Sequence, residues 1–347
     1  MTARVTAVAE DGPDLDWTAP GVYRCAPGVY RIPLPLPGDA LKAVNVYAIE
    51  DGRGAVTLVD AGWALADARH LLVDALAALG AGLGDVRGFL VTHAHRDHYT
   101  QAVALRREFG TPIALGRGEE PSLATIHSAD RPSPHAPRLR RAGAHQLAEV
   151  MARWTMSPEE FADWEAPDRW LGDGARLALA GRTLQAIHTP GHTRGHLVFA
   201  DEAGGLLFAG DHVLPTITPS IGFEAAPPPS PLADFLTSLR LLLTGPDAAL
   251  LPAHGVVGMR VHERVDQLLE HHGTRLDATL AAVREGRGTA FEVAQVLTWT
   301  RRERHLDELD PMNTMLAVLE TQAHLDVLVE RGALRCTEDG GTAHYTV

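Results

Sequence analysis

The feature that most constrains this chain is VTHAHRDHYT, residues 91–100. It puts three histidines and an aspartate within six positions, His93 to His98, directly after the apolar run GFLV. Donor side chains at the end of a buried-type strand need partners, because a buried polar group left without a hydrogen bond costs about 1–3 kcal/mol. A metal ion satisfies several at once. His93 and His95 are two apart, so both rings can reach one ion from a turning segment, while Asp97 and His98 lie just beyond and can turn to a second. Imidazole nitrogen and carboxylate oxygen suit zinc, and a catalytic zinc site keeps one position open for water. One segment cannot complete two such ions, so the fold must bring other donors here.

Apolar alternation predicts strands in GVYRIPLPLP, AVNVYAIE and GAVTLVDAG, with a helix from about Ala64 to Leu79 closed by Gly80. VRGFLVTHAH is a further strand, followed by two in ARLALAGRTLQAIHTPGH, one in GGLLFAGDHVL and one in AALLPAHG. Four of these strand ends deliver polar donors: VTHAHRDH, HTPGHTRGH, FAGDH and LPAHG. The assembled expectation is that His93, His95 and His192 hold one metal, Asp97, His98 and His254 hold the other, and Asp211 bridges them. Two ions about 3.5–4 Å apart can share a hydroxide and bring its pKa near neutrality. Asp60 is expected behind the site, orienting a ligand histidine through its other ring nitrogen. His196, four residues after His192, is either a general acid for the leaving group or a hydrogen-bond partner of a ligand. Asp97 has a catalytic as well as a ligand role. Tyr99, His188 and His212 are placed in the pocket or behind the ligands, and His127, His135 and His145 have no ligand spacing.

HAHRDH matches the HxHxDH signature of the metallo-β-lactamase superfamily, and TPGHT, GDH and PAHG follow in that superfamily's order. LVDAG, through Asp60 and Gly62, resembles its early strand motif. The resemblance covers about residues 20–258 and implies an αβ/βα sandwich with a dinuclear site along one edge of two sheets. It implies two zinc ions, with iron or manganese as alternatives. Penicillin-destroying members commonly carry cysteine at the bridging position and are exported; Asp211 and the lack of an apparent signal peptide speak against that role. His95 argues against the flavodiiron members, which carry glutamate there.

Around that core, residues 1–20 are expected to form a loose lead-in, 21–258 the catalytic domain, and 259–347 a helical domain. Residues 116–170, rich in His, Pro, Trp and Arg, read as an insertion, with AHQLAEVMARW and SPEEFADWEAPDRW helical. Beyond His254, helical periodicity over 261–285, a capping box at TAFE, a helix from about Pro311 to Arg331 and a hairpin around Asp339-Gly340-Gly341 suggest a winged-helix-like module. It resembles the extension on the branch containing lactamase-like endoribonucleases.

Charge bears on the partner. The 347 residues carry a formal charge of −13, and residues 285–347 hold six arginines against eleven acidic residues. Nucleic-acid affinity rests on Lys and Arg, so a nucleic-acid partner is disfavoured. The two cysteines lie at opposite ends of the chain and suggest no disulfide framework. With no membrane span apparent, a cytoplasmic setting is expected. The expected function is a dinuclear zinc hydrolase acting on the ester or thioester bond of a small acyl substrate. An endoribonuclease and a mononuclear iron persulfide dioxygenase are the alternatives. The C-terminal module is expected to close the pocket, pack beside it or form a homodimer contact.

Overall fold

Alternating apolar residues fold the first half of the chain into an eight-stranded sheet in a computed structural model, which describes residues 7–127, 133–154, 157, 161–179 and 181–347. Its strands are β1 (Val8–Glu10), β2 (Val22–Ala26), β3 (Val29–Pro35), β4 (Ala43–Glu50), β5 (Val56–Val59), β6 (Val86–Leu90), β7 (Ile113–Gly116) and β8 (Arg169–Leu171), adjacent in chain order. β2 to β5 form an antiparallel meander; β5 to β8 pair in parallel. Parallel neighbours need crossovers. These are α1 (Ala66–Ala78), α2 (Arg96–Phe109) and, before β8, a longer excursion containing α3 (Glu120–His127), α4 (Ala136–Arg141) and α5 (His145–Met151).

The second sheet is ordered β13-β12-β11-β10-β9, from β9 (Arg176–Leu179), β10 (Arg182–His188), β11 (Leu197–Asp201), β12 (Leu206–Gly210) and β13 (Ala249–Pro252). α6 (Pro231–Leu242) is the crossover between the parallel strands β12 and β13. Between the sheets lie Val29, Tyr47, Ile49 and Leu90 from the first, and Leu184, Phe199, Phe208 and Leu251 from the second. Leu72 and Leu76 of α1 and Val103 of α2 cover the outer side of the first sheet. Phe235 and Leu239 of α6 cover that of the second. The result is the expected helix–sheet–sheet–helix sandwich.

After His254 come α7 (Val261–Arg284), α8 (Ala290–Val296), α9 (Pro311–Glu330) and the hairpin β14 (Arg335–Asp339) with β15 (Thr342–Thr346). The capping box at the start of α8 forms as the sequence suggests: Thr289 accepts from the Glu292 N–H, and Glu292 accepts from the Thr289 N–H. Two expectations need correction. Part of SPEEFADWEAPDRW lies outside the described residues, and its end is strand rather than helix, because Arg169 to Leu171 pair with Ala114 to Gly116. The described part of the lead-in is not loose either: β1 pairs with β2, and Asp11 meets the fully buried Arg31 through two hydrogen bonds of 2.6 and 2.9 Å. Among the described residues, no helix is long and apolar enough to cross a membrane.

Candidate metal centre

The site collects where strands of both sheets end. β6 stops at Leu90, and the chain turns through His93 to His95 at the N-cap position of α2, so Asp97 and His98 occupy the helix's first turn. The unpaired N–H groups of a helix N-terminus favour a carboxylate there. His192 lies in the loop joining β10 to β11. Asp211 directly follows β12, and His254 follows β13; because these strands are parallel neighbours, both residues arrive at one edge. Gly191 makes the His192 loop possible: at φ +143° it lies so close to α6 that a Cβ would stand 2.4 Å from that of Phe235.

The seven expected ligands fall into two groups. His93, His95, His192 and Asp211 form one, with donor atoms within 4.8 Å of one another; Asp97, His98 and His254 form the other. Asp211 touches both. Its Oδ2 lies 3.4 Å from His192 Nε2, while Oδ1 lies 3.5 Å from His98 Nε2 and 3.3 Å from His254 Nε2. Asp97 Oδ2 is 3.6 Å from His98 Nε2 and 3.4 Å from His254 Nε2.

Hydrogen-bond bookkeeping fixes the tautomers. His192 Nδ1 can only donate to the Ser220 carbonyl at 2.7 Å, and His254 Nδ1 to that of Ala43 at 2.7 Å. His98 Nδ1 is 2.9 Å from Asp60. The Thr92 hydroxyl gives its proton to Asp60, so His93 Nδ1 donates to Thr92 Oγ1 at 3.0 Å. In its neutral form each ring therefore turns an Nε2 lone pair inward. The Nε2 atoms of His93, His98 and His254 and Oδ1 of Asp211 are buried without a hydrogen-bond partner, as is His95 Nε2, while His95 Nδ1 faces His192 Nε2 at 3.0 Å. Converging ring nitrogens and a carboxylate oxygen, all but His192 Nε2 without a hydrogen-bond partner, fit a metal cation, and outer partners of this kind commonly hold metal-bound histidines.

The electrostatics divide the site. Burial first, and then neighbouring imidazoles, hold His93 and His95 well below the ordinary imidazole pKa, leaving the neutral form that ligates. Burial would lower His98 too, but Asp97, Asp60 and Asp211 override it and lift its pKa to about 10, so a cation bound there would displace the proton from Nε2. His254 is raised in the same way, against burial, by Asp211 and Asp97. Burial would raise Asp97, yet His98 and His254 pull it well below the usual carboxylate range.

The remaining predicted residues are placed as follows. Asp60 lies beneath His98 and also accepts from the Thr92 N–H at 2.8 Å. His196 is fully buried with both nitrogens engaged: Nε2 accepts from the Asp211 N–H at 3.2 Å, so Nδ1 donates to Thr189 Oγ1 at 3.0 Å. Of the two roles weighed for it, this geometry matches the hydrogen-bond partner. Tyr99 points away from the ligands, its hydroxyl donating to the Glu165 carbonyl at 2.6 Å, and His188 Nε2 ties to the Arg194 carbonyl at 2.8 Å. His212 is buried between His196 and Phe235, with neither ring nitrogen hydrogen-bonded. His135 stacks on Phe223, which in turn packs against His95. His145 contacts Thr342, and the side chain of His127 lies outside the described residues.

Sequence reasoning missed a buried carboxyl pair beside the His192 loop. Glu119 accepts from the Thr193 hydroxyl, and Glu224 from Ser122 Oγ at 2.6 Å and the Arg194 N–H at 2.8 Å. Burial first raises both pKa values, to about 8 for Glu119, where the Glu224 charge adds, and about 7 for Glu224. It also missed a chain of contacts behind His254. Arg31 donates to Asn45 at 3.0 Å, and Asn45 donates to the carbonyls of Pro252 and Gly255, each at 3.0 Å. These residues have no telling spacing in the sequence.

The sequence pattern of the metallo-beta-lactamase superfamily matches residues 40–254, which run from just before β4 to the last ligand. The chain belongs to the metallo-β-lactamase superfamily. Among its relatives, the probable metallo-hydrolase YqjP of Bacillus subtilis is 26% identical over 91% of this chain and 96% of its own length. The atrochrysone carboxyl ACP thioesterase of Aspergillus fumigatus is 24% identical over 84% of this chain, which spans 57% of that protein. A metallo-beta-lactamase family protein from Thermus thermophilus superposes with a TM-score of 0.70 at 30% identity, over 93% of this chain and 99% of that one. A beta-lactamase domain protein from Burkholderia ambifaria gives 0.77 at 27%, over 96% and 95%. The chain carries a His/Asp cluster suited to metal, and a probable metallo-hydrolase stands among its relatives.

Proposed function

We propose that the chain is a dinuclear zinc hydrolase that cleaves the thioester or ester bond of a small acyl substrate. The observation that carries this reading is Asp211, whose two oxygens face two separate donor groups. A metal pair held by the seven ligands would supply a hydroxide nucleophile at neutral pH and polarise the acyl carbonyl.

The chain's own residues prepare that chemistry. Asp60, Thr92 and the carbonyls of Ser220 and Ala43 fix each imidazole with its Nε2 lone pair inward. His196 holds the backbone of Asp211 and has no nitrogen free to protonate a leaving group. Asp97, with its side chain 14% exposed against 9% for Asp211, is the more exposed of the two carboxylates, and its Oδ2 faces His98 and His254 in the second donor group. A thiolate leaves without acid assistance, so the engagement of His196 favours thioesters over esters. The thioesterase relatives point the same way, and the acidic chain suits an acyl substrate better than RNA. Two unpaired cysteines, Cys25 and Cys336, accord with a cytoplasmic setting.

The test is turnover by the zinc-loaded protein on acyl thioesters, esters, lactones and a single-stranded RNA, with His95→Ala in parallel. Metal content and oxygen uptake on a persulfide are measured alongside. Thioester hydrolysis lost in His95→Ala is the expected result. Cleavage of RNA alone, or iron-dependent oxygen uptake, would overturn the reading.

A further inference from the structure

Away from the catalytic edge, α7 and α9 bring together His271, His272 and Glu320, whose donor atoms also lie within 4.8 Å of one another. His272 is completely buried, Glu320 is half-buried and His271 is exposed.

The hydrogen bonds behind His272 leave it one protonation pattern. His324 Nδ1 lies 2.8 Å from the Glu320 backbone carbonyl, which can only accept, so that nitrogen carries the proton. His324 Nε2 is then a lone pair, 3.2 Å from His272 Nδ1, which must be the donor. His272 Nε2 is therefore a bare lone pair, buried and without any hydrogen-bond partner. A histidine locked by a second acceptor, with its other nitrogen unprotonated and unpaired, is in the state of a metal ligand. Its surroundings supply the other donors: a second imidazole and a carboxylate, the set that zinc prefers. Arg275 attracts Glu320, but its guanidinium is turned onto the Trp299 ring at 4.0 Å, with Nη1 donating to the Thr298 carbonyl at 2.9 Å.

We propose that His271, His272 and Glu320 form a second, separate site for a divalent metal of the zinc type, pinning α7 to α9. The exposed His271 leaves the remaining coordination to water, and the site is structural rather than catalytic. It lies against the catalytic layer. The His272 ring packs on Phe235 at 5.5 Å, and Phe235 packs on His212 and closes over Gly191, next to His192. A metal here fastens the C-terminal helices to the wall that shapes the His192 loop.

The test uses the full chain and reads metal, not turnover. Wild type, His271→Ala and Glu320→Gln are dialysed against low-micromolar zinc, and bound zinc is measured by elemental analysis. His271 is exposed and Gln matches Glu in shape, so both variants retain the packing; circular dichroism verifies it. The expected result is one zinc fewer in each variant than in wild type, and a zinc-dependent rise in melting temperature that shrinks in both. Cobalt in place of zinc should add an absorption band that both variants lose. Equal zinc content in all three proteins would overturn the proposal and assign the His272 lone pair to a buried water. Because the comparison is between variants outside the catalytic edge, its outcome is independent of which substrate, if any, the enzyme hydrolyses.

Discussion

Asp60 sits at φ +60°, in the left-handed region that Asp and Asn tolerate better than other side chains, because the chain turns sharply out of β5 to bring its carboxylate beneath His98. Asn at this position would keep the turn and would still accept from the Thr92 N–H. Its amide N–H₂, however, would donate to His98 Nδ1, so the ring proton would move to Nε2, the atom that must be bare to bind metal. Asp60→Asn should therefore leave circular dichroism unchanged and weaken metal binding through His98 by about 10–100-fold, measured by competition with a chromophoric chelator. Unchanged affinity would mean that Asp60 serves the backbone alone. The seven donors were legible in the sequence because His93 to His98 are so closely spaced and the others end strands. Their orienting partners mostly were not. Ser220 and Ala43 act through backbone carbonyls, which every residue has, and Thr92 works only because the fold puts Asp60 beside it.

At the scale of elements, strand and helix periods located β3 to β6 and α1 closely, since each buries one face or both. β8 escaped because three residues carry too little period, and its register comes from β7 rather than from its own pattern. The His192 loop raises a different question, because what holds it is buried charge. Glu119, just after β7, accepts from Thr193 and from the backbone N–H groups of Ala94 and Gly195, so it clamps both ligand loops together. Burial, and then Glu224, lift its pKa to about 8. The folded protein thus keeps a proton that the unfolded chain releases in the ordinary glutamate range. Stability from this group is complete below that range, falls as pH rises towards about 8 and is flat above it. Glu119→Gln cannot lose the proton. Its melting temperature should fall less than that of wild type between pH 5 and pH 8, as scanning calorimetry would show. Parallel curves for the two proteins would mean that Glu119 is ionised throughout.

For the molecule as a whole, the change in character after His254 marks a module expected to close the pocket, pack beside it or form a dimer contact, and its packing joins it to the second sheet. One continuous core contains Leu139 and Ala148 of the insertion, Phe235 and Leu239 of α6, Leu268 and Leu276 of α7, Val293 of α8, Leu319 and Leu325 of α9, and Val198 and Leu207 of the second sheet. The insertion also bonds directly to the C-terminal region: the Phe291 N–H donates to the Ala142 carbonyl at 2.9 Å, and Arg141 reaches Glu338 at 2.8 Å. Periodicity reveals that a helix has an apolar face but not which distant segment covers it, so these contacts were invisible in the sequence. Residues 259–347 supply much of the cover for α6 and the outer face of the second sheet, and a chain cut after residue 258 would expose it. Exposed apolar surface of that extent drives aggregation. Calorimetry of the full chain should show one cooperative transition, and the 1–258 fragment should be aggregated or molten, binding a hydrophobic dye that the full chain ignores. Two separate transitions, together with a soluble fragment that still binds metal, would show instead that the catalytic sandwich is complete by itself and that the helices beyond it were added to its surface.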